Sequence, residues 1–299
     1  MNKKLLTILF LFTSSTVFSQ INIESERDQD GNIILYSVNT ENFPYTVMFQ
    51  FSELQNLTTS SGDVVTAVAM PGKSRATTLK PRQANTPTNY RYSISYVKGN
   101  LYGKSKNEPV YFVPVKEGTE ITAQNMTHIE NRLQPSEQNK EYVGVAFRFD
   151  SPTEIVAPRK GIIASISMGE AAEKDNLDFK RDENFIEIYH EDGTLTKLMV
   201  LKSGSQKVKV GDMVIPGQVL AESAGENYNS GQHVRMVNMK PAKDGNEKLK
   251  YEQFPVKFST SKGVLQVEEL VKFSVVHPEE LITVEMSKRE MKNYRADKD

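Results

Sequence analysis

Short runs of alternating apolar and polar residues dominate this chain. Asn32–Val38 and Tyr45–Phe51 are rich in β-branched and aromatic residues and are separated by Asn42, Phe43 and Pro44. Tyr90–Val97 places rings and polar groups at alternate positions, the pattern of a half-buried strand. Lys98-Gly99-Asn100 is a turn, and Pro109–Val115 reads as the returning strand. Seven or so short strands over residues 21–118 predict a small sandwich of immunoglobulin-like character. Its alternating rings read first as core, with a ligand surface as the lesser alternative.

Residues 119–140 are Glu-, Gln- and Asn-rich with Pro135, a polar connector with room for a helical turn. A second strand-rich block runs from Tyr142 to His277, giving a second domain over 141–277. Two hairpin signals fall in it: His190–Thr194, and the pair Gly211-Asp212 with Pro216-Gly217. The tail, Pro278 to Asp299, is dense in Lys, Arg and Glu and reads as a solvated helix or a disordered end. The expected fold class is all-β, with the two domains in series.

The start of the chain has a different pattern. Residues 1–19 hold no acid, Lys3 and Lys4 precede the apolar run Leu5–Phe12, and Val17 and Ser19 are placed for cleavage before Gln20. The run is shorter than the about 20 apolar residues needed to cross a bilayer. No cysteine follows for lipid attachment, and no second apolar span occurs. The expectation is a signal peptide over 1–19, an exported mature chain, and no transmembrane segment.

Composition narrows the classes. With no Cys anywhere, neither disulfides nor a thiolate metal site is available. The whole chain carries 37 basic and 38 acidic side chains; losing Lys3 and Lys4 leaves 35 against 38, a net charge of −3. That balance argues against nucleic acid as a partner. About 280 mature residues suit two domains.

The chemistry-bearing residues are sparse. The four His, at 128, 190, 233 and 277, show no spacing that puts two nitrogens on one helix or strand face. No Gly-rich loop opens a helix, and no Gly-x-Ser-x-Gly elbow occurs. By residue chemistry alone, the second block is a β-domain of open purpose.

Four segments in order carry a resemblance. They are Ile155–Ile163 (IVAPRKGII), Phe185–Leu198 with its His190-Glu191-Asp192-Gly193-Thr194 turn, Val208–Gly225 (VKVGDMVIPGQVLAESAG), and Asn229–Met236 (NSGQHVRM). Together they resemble the lysostaphin/LytM-type zinc peptidases, of the duplicated hybrid motif fold. More weakly, the Tyr-rich strand before Tyr111–Pro114 resembles the β-domain that precedes some of these peptidases, and Phe254–Phe258 resembles their closing strand.

The resemblance implies where a zinc site would lie. The family's first His falls on Tyr142, its Asp on Ala146, and the second His of His-x-His on Arg235. A further active-site His falls on Val200; His233 alone keeps the family's residue type. Ala has no donor atom, and Arg stays positive and repels a dication. His128 and Asp150 could enter a displaced site, but Arg235 would still deny it a third ligand. The resemblance therefore implies no catalytic residues, no metal and no cofactor, and a vestigial groove floored by Tyr142, Ala146, Val200, His233 and Arg235. Arg235 could pair with a carboxylate of a wall peptide or a partner protein.

The functional expectation is a non-catalytic scaffold, accessory subunit or regulator in the periplasm or at the cell surface of a Gram-negative bacterium. Its expected partner is an envelope protein, with an outer-membrane complex as candidate. The alternatives are a non-catalytic peptidoglycan binder and an active metallo-endopeptidase with an altered metal site.

Overall fold

A computed structural model describes residues 20–105, 108–126, 144–169, 183–245 and 248–296. The signal peptide expected over 1–19, and Tyr142 and His128, lie outside these residues.

The N-terminal half is a two-sheet sandwich. Its strands are β1 (Ile21–Arg27), β2 (Ile33–Asn39), β3 (Tyr45–Gln55), β4 (Leu57–Thr58), β5 (Val64–Ala69), β6 (Gly72–Pro81) and β7 (Asn89–Lys98). One sheet has the order β1-β2-β6-β4 and the other β5-β3-β7. Alternation drives the packing: in β2, Ile33 and Leu35 are buried, while Val47, Phe49 and Phe51 of β3 close the same core from the other sheet. The half-buried rings of β7, Tyr90, Tyr92 and Tyr96, pack on it, as core and not as an open ligand face.

The second half holds β8 (Val110–Phe112), β9 (Glu120–Asn125), β10 (Val145–Arg148), β11 (Glu154–Val156), β12 (Gly161–Ser167), β13 (Phe185–Tyr189), β14 (Leu195–Met199), β15 (Met213–Val214), β16 (Val219–Glu222), β17 (His233–Asp244), β18 (Lys248–Gln253), β19 (Lys257–Thr260), β20 (Gly263–Gln266) and β21 (Val271–Ser274). Its main sheet runs β15-β12-β13-β14-β17-β10-β9-β21, with β18 also on β17. Small sheets β11-β16 and β20-β19-β8 complete the layer. All-β is thus the class of both halves; two short helices, Glu279–Thr283 and Lys288–Ala296, follow the last strand.

Three expectations need correction. Val110–Phe112 does not return into the sandwich: it pairs in parallel with β19, and Tyr111, Val113 and Val115 enter the second core, so that core begins well before residue 141. The connector expected at 119–140 begins as β9, which buries Ile121 and Ala123 between β10 and β21. Polar composition hid it, because only alternate residues are buried. Gly211-Asp212 and Pro216-Gly217 are turns, but the strands around the second, β15 and β16, pair with β12 and β11 and not with each other. The tail takes the helical one of its two readings over Lys288–Ala296, held to the body by ion pairs. The His190–Thr194 hairpin stands: β13 and β14 pair across it.

The main sheet has two working faces. Ile163, Ile186, Ile188, Leu198, Met236 and Phe147 face the large second core. On the opposite face, Ile162, Ala164, Tyr189, Leu195 and Met239 join the sandwich core, and Phe43 stacks on Tyr189 at 5.7 Å. The contact is tight at Gly99 and Gly193, both at positive φ, where a Cβ would strike the backbone of the facing turn. One continuous apolar layer therefore ties sandwich to sheet, and it covers one end of the face that carries Arg235 at the other.

Candidate functional site

Register builds the site. β10 and β14 flank β17, so Ala146 and Met199 stand opposite Arg235 on either side. Side chains alternate along a strand, which puts His233 and Arg235 on the same face. Val200 follows Met199 with φ of 68°, and its carbonyl accepts a bond from the Ala224 N–H. His233 N–H in turn donates to the Ala224 carbonyl, so Val200 and His233 meet through one residue. Ala146, Val200, His233 and Arg235, proposed from separate stretches of sequence, thus come together. Asp150 lies beyond the end of β10 and is exposed.

Arg235 is buried and ion-paired. Its Nη1 lies 2.6 Å from Oε1 of Glu183, with both side chains at most 5% exposed. Tyr228 donates its hydroxyl to the same oxygen at 3.0 Å, and the guanidinium lies 5.4 Å from the Tyr228 ring centre. Met126, Ala146 and Val237 form a small apolar patch beside them, with Met199 against it. Sequence reasoning missed Glu183 and Tyr228. Glu183 is 52 residues from Arg235, and an ion-pair partner at that range carries no periodic signal.

His233 is also buried, and its Nδ1 lies 2.7 Å from the Gly231 carbonyl, which can only accept; the proton is on Nδ1. Nε2 has no hydrogen-bond partner among the described residues. Burial pushes the imidazole down to about 4, against the pull of the Gly231 bond, with Arg235 and Arg148 adding to the depression. The ring is neutral at pH 7, and Nε2 holds a lone pair.

These residues do not fit a zinc ion. A zinc hydrolase needs three protein ligands with an open fourth position. Here Ala146 has no donor, Arg235 is a buried permanent cation already neutralised by Glu183, and His233 Nε2 offers one lone pair. Among the described residues no group of three or more His, Cys, Asp or Glu could hold an ion.

A second buried arginine lies at the opposite edge of the core. Arg159, after β11, bonds Asp192 at 2.8 Å, both oxygens of Glu285, and the Tyr111 hydroxyl at 3.1 Å. Burial alone would lower its pKa; Glu285, Tyr111 and Asp192 more than reverse that. Beside it His190 is fully buried, with Nδ1 2.8 Å from the Lys160 carbonyl and Nε2 2.8 Å from the Thr196 hydroxyl. Burial and then the Arg159 charge hold it well below its ordinary pKa, so it too is a neutral structural histidine. His277 stacks on Phe112 at 4.4 Å, leading the chain into the C-terminal helices.

The fold class and site geometry meet the sequence comparison here. Residues 140–246 match the sequence model of peptidase family M23. The match spans the four segments of the lysostaphin/LytM resemblance. No curated protein matches the chain at a significant level. Among solved structures, the SpoIIQ–SpoIIIAH pore-forming complex is 19% identical, covering 45% of this chain and 85% of that one, with a TM-score of 0.31. The lysostaphin catalytic domain from Staphylococcus simulans is 22% identical over 36% and 74% of the chains, at 0.27. Helicobacter pylori Csd3 is 9% identical over 92% and 82%, at 0.32. Likeness at these scores has no bearing on activity.

Proposed function

We propose that this chain is a non-catalytic M23-type protein of the bacterial cell envelope, exported and acting as a scaffold, accessory subunit or regulator of an envelope complex. The observation that supports it is the Arg235–Glu183 ion pair, buried between Ala146 and Met199 on the face where the family resemblance places a metal. A guanidinium there repels a divalent cation, and its carboxylate partner is already engaged. The domain keeps the fold of a hydrolase while its centre is closed with its own charges.

The partner in this reading is a protein of the envelope, with an outer-membrane complex as the first candidate. Affinity capture of the tagged full chain from solubilised envelope, after crosslinking in the cell, tests it. A protein partner recovered in stoichiometric amount supports the reading, and recovery of none overturns it. Sedimentation with purified sacculi separates the alternative, a peptidoglycan binder. His233 Nε2 favours that alternative, since it is a buried acceptor with no partner among the described residues.

A further inference from the structure

The C-terminal segment sorts its charges in space. From Pro278 to Asp299 it holds six acids and five bases, so its composition shows no excess of positive charge. The fold separates them. Glu285 reaches the Arg159 guanidinium, and Lys160 Nζ bonds both the Glu285 carbonyl, at 3.0 Å, and Glu290, at 2.7 Å. The Lys160 contact, followed by bonds from Ser287, holds Glu290 down to about 2, so it stays ionised.

The terminal helix is fixed by the same residue. The Ser287 N–H donates to the Glu290 carboxylate at 2.7 Å, and the Glu290 N–H donates to the Ser287 hydroxyl at 3.3 Å. That reciprocal pair is a capping box at the first turn of Lys288–Ala296. A nine-residue helix is marginal alone, so the cap and the Lys160 contact together give it order and direction.

With Glu290, Met291 and Tyr294 half-buried, the outward face is set. Lys288, Arg289, Lys292 and Arg295 are exposed. At 3.6 residues per turn they fall within about a third of the helix circumference, opposite the docked side. None of the four has an ion-pair partner among the described residues. The segment's other acids within the described residues, Glu279 and Glu280, sit on the preceding helix.

We infer that the helix Lys288–Ala296 is a docking element for an anionic bilayer surface, contacting lipid phosphates through Lys288, Arg289, Lys292 and Arg295. The outward face carries no aromatic or large apolar anchor, and protein interfaces are centred on such anchors and depleted in Lys. A face of cations alone fits a diffuse sheet of negative headgroups. Val284, exposed on the turn before the helix, adds at most a shallow apolar touch. The whole chain is nearly neutral, with a net charge of −1, so attraction to such a surface needs a local cluster of cations such as this stripe.

The test uses the purified full chain and vesicles of phosphatidylcholine, with and without phosphatidylglycerol, in a flotation assay. Binding is expected on the phosphatidylglycerol vesicles alone and should weaken with added salt. The variant K288Q/R289Q/K292Q/R295Q removes only exposed cations that have no ion-pair partner among the described residues, so folding is retained. It should bind at least roughly 100-fold more weakly, from about fivefold per cation near an anionic surface. A control that neutralises four exposed lysines elsewhere, K207Q/K209Q/K262Q/K272Q, should bind as the parent does. Failure of the parent to bind, equal binding by the stripe variant, an equal loss in the control, or displacement by millimolar inorganic phosphate would each overturn the inference.

Discussion

Two buried arginines anchor the second half of this protein, and they do different work. Arg235 lies in the middle of a sheet face and meets Glu183 and Tyr228. Arg159 lies at the sheet's edge and meets Asp192 and Glu285, the latter 126 residues away in the C-terminal segment. The first neutralises a carboxylate within the sheet face; the second fastens a segment. In both, the charge is neutralised within the protein, and that is the condition for burying a guanidinium at all. Where such a residue sits decides whether its ion pair seals a surface or joins two parts of the chain.

Removing each arginine separates the roles. Arg159→Ala should have the largest effect, because it strands two carboxylates, and the Arg159 and Asp192 side chains are both under 10% exposed. A loss of about 3–5 kcal/mol is expected by denaturant titration. It should come with rapid proteolysis after residue 277, since the C-terminal helices lose their main anchor. Arg235→Met should cost somewhat less, about 3 kcal/mol, by leaving Glu183 buried without its cation, and the C-terminal segment should stay protected. Arg235→Met with Glu183→Leu should recover most of that loss, because a well-packed apolar pair can replace a buried ionic one. If the double variant is as unstable as the single, the pair is not the unit that closes the site.

pH sharpens the Arg235 side. His233 titrates near 4 in the folded chain and near 6.5 when unfolded. Between those values the unfolded chain takes up a proton that the folded one refuses. Stability is therefore full above pH 6.5 and falls as pH drops toward 4, by up to about 3 kcal/mol for this residue. His190 contributes with the same sign, so His233→Gln should flatten the pH profile without abolishing it. The smallest effect is expected from Glu285→Gln, about 1–2 kcal/mol, with Asp192 still facing Arg159. It should raise proteolysis of 278–296 and leave the Arg235 side unchanged.

Much of the fold was legible because burial alternates. β2 and β7 fall where the apolar period is two, β3 where β-branched and aromatic residues cluster, and the Asp192-Gly193 turn marks the β13–β14 hairpin. β9 was not, since Glu120–Asn125 is polar at every exposed position and gains its strand character from partners 20–26 and 148–154 residues on, Val145–Arg148 and Val271–Ser274. The site was half legible. The spacing of His233 and Arg235 on one strand, and their distance from Ala146, could be read along the chain. Glu183 and Tyr228 could not, and the Arg159–Glu285 link could not, because nothing local distinguishes a buried carboxylate from a solvated one. The resemblance implied a place for a metal centre; only the packing brings Glu183 against Arg235 there.

In the proposed reading, Arg235 and Glu183 occupy the face where the family resemblance implies a zinc ion. The most direct measurement is zinc content by plasma mass spectrometry, after the full chain is incubated with excess zinc and desalted, with cleavage of crosslinked peptidoglycan followed in the same sample. Zinc well below one per chain and no cleavage is the result expected. One zinc per chain, with cleavage that a chelator stops, would contradict it.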